Sequence, residues 1–166
     1  LRTVVRDIRE YVDVAQTLQA SFAEAGLTLE IQQMTGAQVL DAYRARQVPI
    51  FIGEWGPDYA DPNTNVSTFA VNPDNSPEAR HSQLAWRNSW AVPDDLAQKV
   101  AAAVVENDTE TRNQMYLDIQ SQYREIAPIV PMFQRVEQAG MQANVQNWSA
   151  GGSVASVSYR QVVKGE

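Results

Sequence analysis

The sequence predicts an α/β fold, a sheet with crossover helices laid down by a β-α-β-α-β start. Three observations predict it. Short β-branched or alternating apolar runs stand at 1–5, 27–31 and 48–52, the patterns of strands. Between them lie two stretches with apolar residues every three or four positions, the period of a helix. Strands and helices alternating in this order build sheets whose parallel strands are joined by helices packed on their faces.

Leu1-Arg2-Thr3-Val4-Val5 suits a first strand that ends near Asp7. From Arg9 the period changes: Val12, Ala15, Leu18, Phe22 and Ala25 mark one apolar helix face, and Gly26 is the residue expected just past its end. Leu27, Leu29 and Ile31 alternate with Thr28, Glu30 and Gln32, as in a half-buried strand. Gly36 opens a second helix, with Val39, Leu40 and Tyr43 facing inward and Arg44 and Arg46 outward. Val48-Pro49-Ile50-Phe51-Ile52 is a continuous apolar run, the mark of a strand covered on both faces. A loop-rich excursion follows over 54–95, carrying Pro57, Pro62, Pro73, Pro77 and Pro93 and three of the four tryptophans; so long a loop in a domain is usually functional. Pro93-Asp94-Asp95 signals a helix start, with Leu96, Val100 and Val104 as its stripe. Asn107-Asp108 caps a further helix lined by Tyr116, Ile119, Tyr123 and Ile126 and stopped by Pro128. Ile129–Phe133 reads as a strand, and 139–163 alternates weakly around a Gly151-Gly152 break. The whole predicts a central sheet of at least four strands.

The 166 residues suit one domain, and the absence of an initiator Met suggests a piece of a longer chain. With no cysteine, the chain has no disulfide, thiolate metal site or cysteine nucleophile. A net charge of -7, with eleven arginines and two lysines scattered along the chain, argues against nucleic acid or an anionic membrane as partner. No apolar run reaches the roughly 18–20 residues of a membrane span. No phosphate-cradling loop is present and no cofactor is expected.

The densest polar and aromatic cluster is Glu54-Trp55-Gly56-Pro57-Asp58-Tyr59-Ala60-Asp61-Pro62. It follows the third strand directly, and ligands of open α/β sheets gather at strand carboxyl ends. Trp55 and Tyr59 offer stiff flat surfaces, and Asp58 a carboxylate able to pair with a ligand ammonium. The competing reading is a tight turn shaped by Asp and Pro with Trp55 packed on the core. Glu54, Asp58 and Asp61 also suit a glycosidase-like acid/base pair, and Asp58, Asp61 and Asn63 a hard cation. His81, the sole histidine, stands in a polar stretch typical of a surface residue. Trp86 and Trp90, four apart, suit a short helical face, the core or a cleft edge.

Residues 55–62 resemble the Trp-x-x-Asp-Tyr-x-Asp/Glu-Pro segment of the dipeptide/oligopeptide/nickel (family 5) solute-binding proteins that serve ABC transporters. Other segments agree in order: Asp13–Gln19 ending at Gly26, Trp86-Arg87-Asn88-Ser89, the Asp108-x-x-x-Arg112-x-x-x-Tyr116 helix, and Pro128-Ile129-Val130-Pro131. The resemblance implies one lobe of a type II periplasmic-binding-protein-like fold, with 1–166 as the C-terminal ligand-binding lobe. It implies a missing N-terminal lobe, closure over a ligand outside the bacterial cytoplasmic membrane, delivery to a membrane permease, and no enzymatic step. In the peptide-binding branch the Asp of the motif pairs with the free amino terminus. That role falls on Asp58, with Trp55 as pocket wall and Tyr59 as a second aromatic; Glu54 is either a further polar contact or simply the strand end. The chain departs from some peptide binders at Thr35-Gly36, where they carry Trp, and at Ile52, where they carry a basic residue. Arg44, Arg46 or the other lobe is then left to meet a peptide carboxylate. The family also binds sugars, opines, haem, nickel chelates and antibiotics, so peptide is the default ligand. The alternative function is a carboxylate-dependent hydrolase.

Overall fold

A computed structural model describes residues 1–134, 136, 138–149 and 159–165 of the chain. These fall into two compact units, each discontinuous in sequence: Leu1–Trp55 with Ser67–Ala97, and Gly56–Val66 with Gln98–Glu166.

The first unit is built on a parallel sheet of three strands in the order β2-β1-β3, with β1 at Arg2–Arg6, β2 at Glu30–Met34 and β3 at Ile50–Phe51. Helix α1 (Arg9–Glu24) joins β1 to β2, and α2 (Gly36–Arg44) joins β2 to β3. The predicted crossover pattern is therefore present. Gly26 has φ +75, the left-handed turn that ends α1. α2 starts in a reciprocal cap: the Thr35 hydroxyl accepts from the Gln38 backbone N–H, and the Gln38 side chain accepts from the Thr35 N–H. Val5, Ala15 and Ile52 form a buried cluster on which Tyr11, Val12, Val14, Leu18 and Ile31 pack.

Several expectations are corrected. β2 begins at Glu30 rather than Leu27, whose side chain is exposed while Leu29 is buried. Among the described residues the main sheet has three strands, not four or more. β3 pairs over two residues only, Thr3 with Ile50 and Val4 with Phe51; Pro49 has no N–H to extend a ladder. The excursion over 54–95 is not all loop, because it holds α3 (Pro62–Phe69) and α4 (Leu84–Arg87). Trp86 belongs to the core: it is buried and its indole N–H donates to the Ser76 carbonyl at 2.8 Å.

Helices α5 (Asp94–Val105) and α6 (Thr109–Ile126) begin where their acidic caps place them. The buried stripe of α5 is Leu96, Val100 and Ala103, with Val104 turned out. In the second unit Asp108 accepts from the Thr111 N–H at 2.8 Å to cap α6, Tyr116 and Ile119 are buried, and Ala127 ends the helix at φ 50. Ile129–Phe133 is not a strand; Val130 and Phe133 are 74% and 72% exposed, and prolines on either side of Val130 deny it ladder donors. A two-stranded antiparallel ribbon pairs β4 (Val145–Gln146) with β5 (Val163–Lys164). The Gly151-Gly152 break lies outside the described residues. No described helix is long and apolar enough to cross a membrane.

The short β3 ladder is reinforced by a side chain. Thr3 is fully buried and its hydroxyl donates to the Ile50 carbonyl at 2.8 Å. Thr3→Val keeps the shape and removes that donor, so it should cost about 1 kcal/mol. Urea denaturation should show a lower midpoint at unchanged slope.

Candidate functional site

The segment in question leaves the carboxyl end of β3. Phe51 stacks on Tyr43 with ring centroids 3.7 Å apart and planes 5° from parallel. Burial pushes the Tyr43 phenol up to about 12, and the Arg87 charge acts against that rise. Ile52 turns into the core, and at Gly53 any Cβ would run into the Phe51 ring. Close approach of the backbone to a stacked ring is what requires glycine there. Glu54 and Trp55 follow as exposed residues. The Trp55 ring meets Phe69 edge-on at 5.5 Å and 83° while 41% of the residue remains open to solvent. Trp55 is thus anchored on one side and presented on the other, so the core-packing and ligand-facing readings each describe part of it.

In the second unit the same segment continues through Asp58, Tyr59 and Asp61. Asp58 is exposed and has no hydrogen bond or ion pair among the described residues. Tyr59 is 54% exposed, and its carbonyl accepts from the Asp61 N–H at 2.9 Å. Asp61 is differently placed. Its two carboxylate oxygens receive a forked pair of bonds from Arg112, at 2.9 and 3.1 Å, and one also accepts from the Asn63 N–H at 2.8 Å. Asp61 thereby caps α3 at a helix that opens on Pro62, a residue with no N–H to satisfy. Arg112 lies 4.8 Å above the Tyr116 ring and also donates to its hydroxyl at 3.3 Å.

This geometry explains the Asp108-Arg112-Tyr116 spacing. Asp108 fixes the start of α6, one turn later Arg112 reaches Asp61, and one turn further Tyr116 receives the guanidinium face. Arg112 is the residue that sequence reasoning missed. Its spacing from Asp108 was visible, but its partner lies fifty-one positions away along the chain.

The same contacts weigh against two competing chemistries at Asp61. The Arg112 hydrogen bonds, with that from Asn63, hold the Asp61 carboxyl below the ordinary carboxylate range. It stays ionised and occupied, a poor proton donor for glycoside hydrolysis and a poor cation ligand with its oxygens already taken. Among the described residues no three metal-ligating acids or histidines cluster. Arg46 is not an outward carboxylate partner either. It sits past α2 at φ 56, 4.8 Å over the Trp86 ring, donating to Ser89 Oγ at 2.8 Å and to Asn75 at 2.9 and 3.0 Å. It also lies by the amino end of β3, away from the end that launches Glu54 and Trp55.

Residues 2–77 match the model of bacterial extracellular solute-binding proteins, family 5 Middle. No match was found among curated proteins. Solved structures share the fold. A peptide-binding protein of a peptide ABC transporter aligns with TM-score 0.65 and 20% identity over 79% of this chain and 55% of its own. The ABC transporter-associated periplasmic binding protein DppA from Helicobacter pylori, in complex with peptide STSA, gives 0.66 and 20% over 76% and 24%. The pheromone receptor PrgZ gives 0.71 and 14% over 100% and 30%. The chain therefore spans about half, a quarter and a third of those proteins.

Because the folded-state Asp61 carboxyl is depressed, its pair contributes fully above the ordinary carboxylate value and is lost as pH falls through the folded value. Arg112→Gln should therefore lower the denaturation midpoint near neutrality, and its gap from the wild type should narrow as pH drops from about 6 to about 3. A gap constant across that range would mean the variant acts through packing alone.

Proposed function

Starting from residues 2–77 as a family 5 extracellular solute-binding segment, we propose that this chain is the C-terminal part of the receptor of an ABC importer and takes a peptide by its free amino terminus. The carboxylate of Asp58 is the counter-ion for the ammonium. Trp55 is a pocket wall, Tyr59 a second aromatic surface, and Glu54 a further polar contact.

The observation that carries this reading is the contrast between two neighbouring carboxylates. Asp61 is locked by Arg112 and the cap of α3, whereas Asp58 is exposed and uncommitted three residues after a half-open tryptophan. A carboxylate with no other partner among the described residues has no bond to give up when an ammonium arrives. It forms a strong charge-assisted bond once closure removes water. Similarity in fold to proteins described as peptide-binding supports the choice of ligand. Closure against a second lobe is the conformational step, in which ligand contacts favour the closed form that a permease then recognises. The site of action under this reading is extracytoplasmic, and the role is binding without covalent chemistry.

Calorimetry with short peptides and their N-acetylated counterparts tests the assignment. Asp58→Asn should weaken free peptides by about tenfold to a hundredfold, the worth of one charge-assisted bond. It should leave the already weaker acetylated peptides unchanged. Trp55→Ala should cost both kinds of peptide roughly tenfold. Acetylated peptides that bind as tightly as free ones would remove the ammonium role from Asp58.

A further inference from the structure

The other end of the first unit's sheet carries an arginine cluster that neither the fold nor the proposed peptide site uses. α2 ends at Arg44 and leads through Gln47 to the amino end of β3. There the end of α2, residues 77–82 and α4 line an open groove of about 850 Å³. Arg44, Arg80 and Arg87 line it, with His81 and Trp86. The lone acid in the lining is Asp41.

These arginines are not explained by ion pairing. Among the described residues none of the three has a carboxylate within salt-bridge distance, in a chain with twenty acidic residues. Arg46 beside them shows what a structural arginine looks like here, with three nitrogens donating and its plane on Trp86. Arg87 has only the Tyr43 ring, 5.9 Å away. Burial, and after it the repulsion of Arg44, push the Arg87 guanidinium below its ordinary value. Two like charges side by side, the Arg87 one half-buried and the Arg44 one exposed, cost stability unless something anionic offsets them. His81 adds a second sign. Far from a plain surface residue, it is half-buried, and its Nε2 is buried without a hydrogen-bond partner. Asp74, the acid whose charge it feels, is already engaged by the Ser76 N–H at 2.8 Å.

We propose that this groove is a second binding site, for a small, multiply charged oxyanion of the phosphate type. The guanidinium fork matches a phosphate edge with two parallel N–H bonds. Three forks around one concavity can share a dianion that a single surface arginine would not hold. His81 supplies a further donor, and Asp41, the one acid in the lining, sets a local repulsion that the arginines outweigh. The site lies at the amino end of the strands, opposite Glu54 and Trp55, and does not depend on the peptide reading.

The test is isothermal titration of the chain with inorganic phosphate and pyrophosphate at constant ionic strength, set with sodium chloride. The expected result is saturable binding of one anion per chain, tighter for pyrophosphate. Arg44→Gln with Arg80→Gln, both exposed and without a hydrogen bond or ion pair among the described residues, should fold normally by circular dichroism and lose about tenfold or more in affinity, while Asp58→Asn should bind as the wild type does. Absence of saturable binding, or binding unchanged in the double variant, would overturn the proposal. A second readout guards against a calorimetric blank. Phosphate should raise the thermal midpoint of the wild type beyond chloride of equal ionic strength, and not that of the double variant.

Discussion

One buried hydroxyl holds the arrangement of the first unit together. β3 meets β1 over two residue pairs, too little ladder to fix a strand by itself. The Thr3 hydroxyl on the Ile50 carbonyl adds a third point from inside the core, where no water competes. From outside, Arg2 adds a bond to the Gln47 carbonyl at 3.2 Å. With β3 fixed, the Phe51 ring lies flat on Tyr43, Ile52 enters the core, and glycine at 53 lets the chain pass the ring. The direction in which Glu54 and Trp55 emerge follows from that sequence of constraints.

The second unit divides its acids by local backbone chemistry rather than by composition. Asp61 and Asp108 both stand just before helices and both accept backbone N–H bonds; the Arg112 guanidinium and then the Asn63 N–H lower the Asp61 carboxyl, and the Thr111 N–H lowers that of Asp108. Asp58, in a bend, has no such donor among the described residues. Two of these three aspartates are thus engaged within the fold, and Asp58 has no partner among the described residues.

Local features of the fold were legible in the sequence and distant ones were not. The α1 stripe, the glycine at 26, the Asp108 cap and the three crossover strands are each written within a few residues, so periodicity and cap chemistry found them. The ladder of β3 depends on what lies opposite it, and Val48–Ile52 looks like a full strand until Pro49 and its short partner are seen. Ile129–Phe133 misled for a related reason: apolar β-branched residues suit a strand only where a neighbour accepts them, and Val130 and Phe133 face solvent. At the candidate site Trp55, Asp58 and Tyr59 stood out by type and by position after a strand. The commitment of Asp61 to Arg112, and of Arg46 to Asn75 and Ser89, required contacts across 51, 29 and 43 positions.

The double engagement of Asp61 makes its partnership with Arg112 directional. A simple ion pair tolerates reversal, because exchanging the two charges restores the attraction. Here the carboxylate also accepts from the Asn63 amide, and a guanidinium at 61 has no lone pair to offer it. Swapping the residues would regain the electrostatic term and still leave the first turn of α3 uncapped. The two positions are therefore tied in sequence space in one orientation only, with variation at 112 restricted by a capping requirement that Arg112 itself does not share.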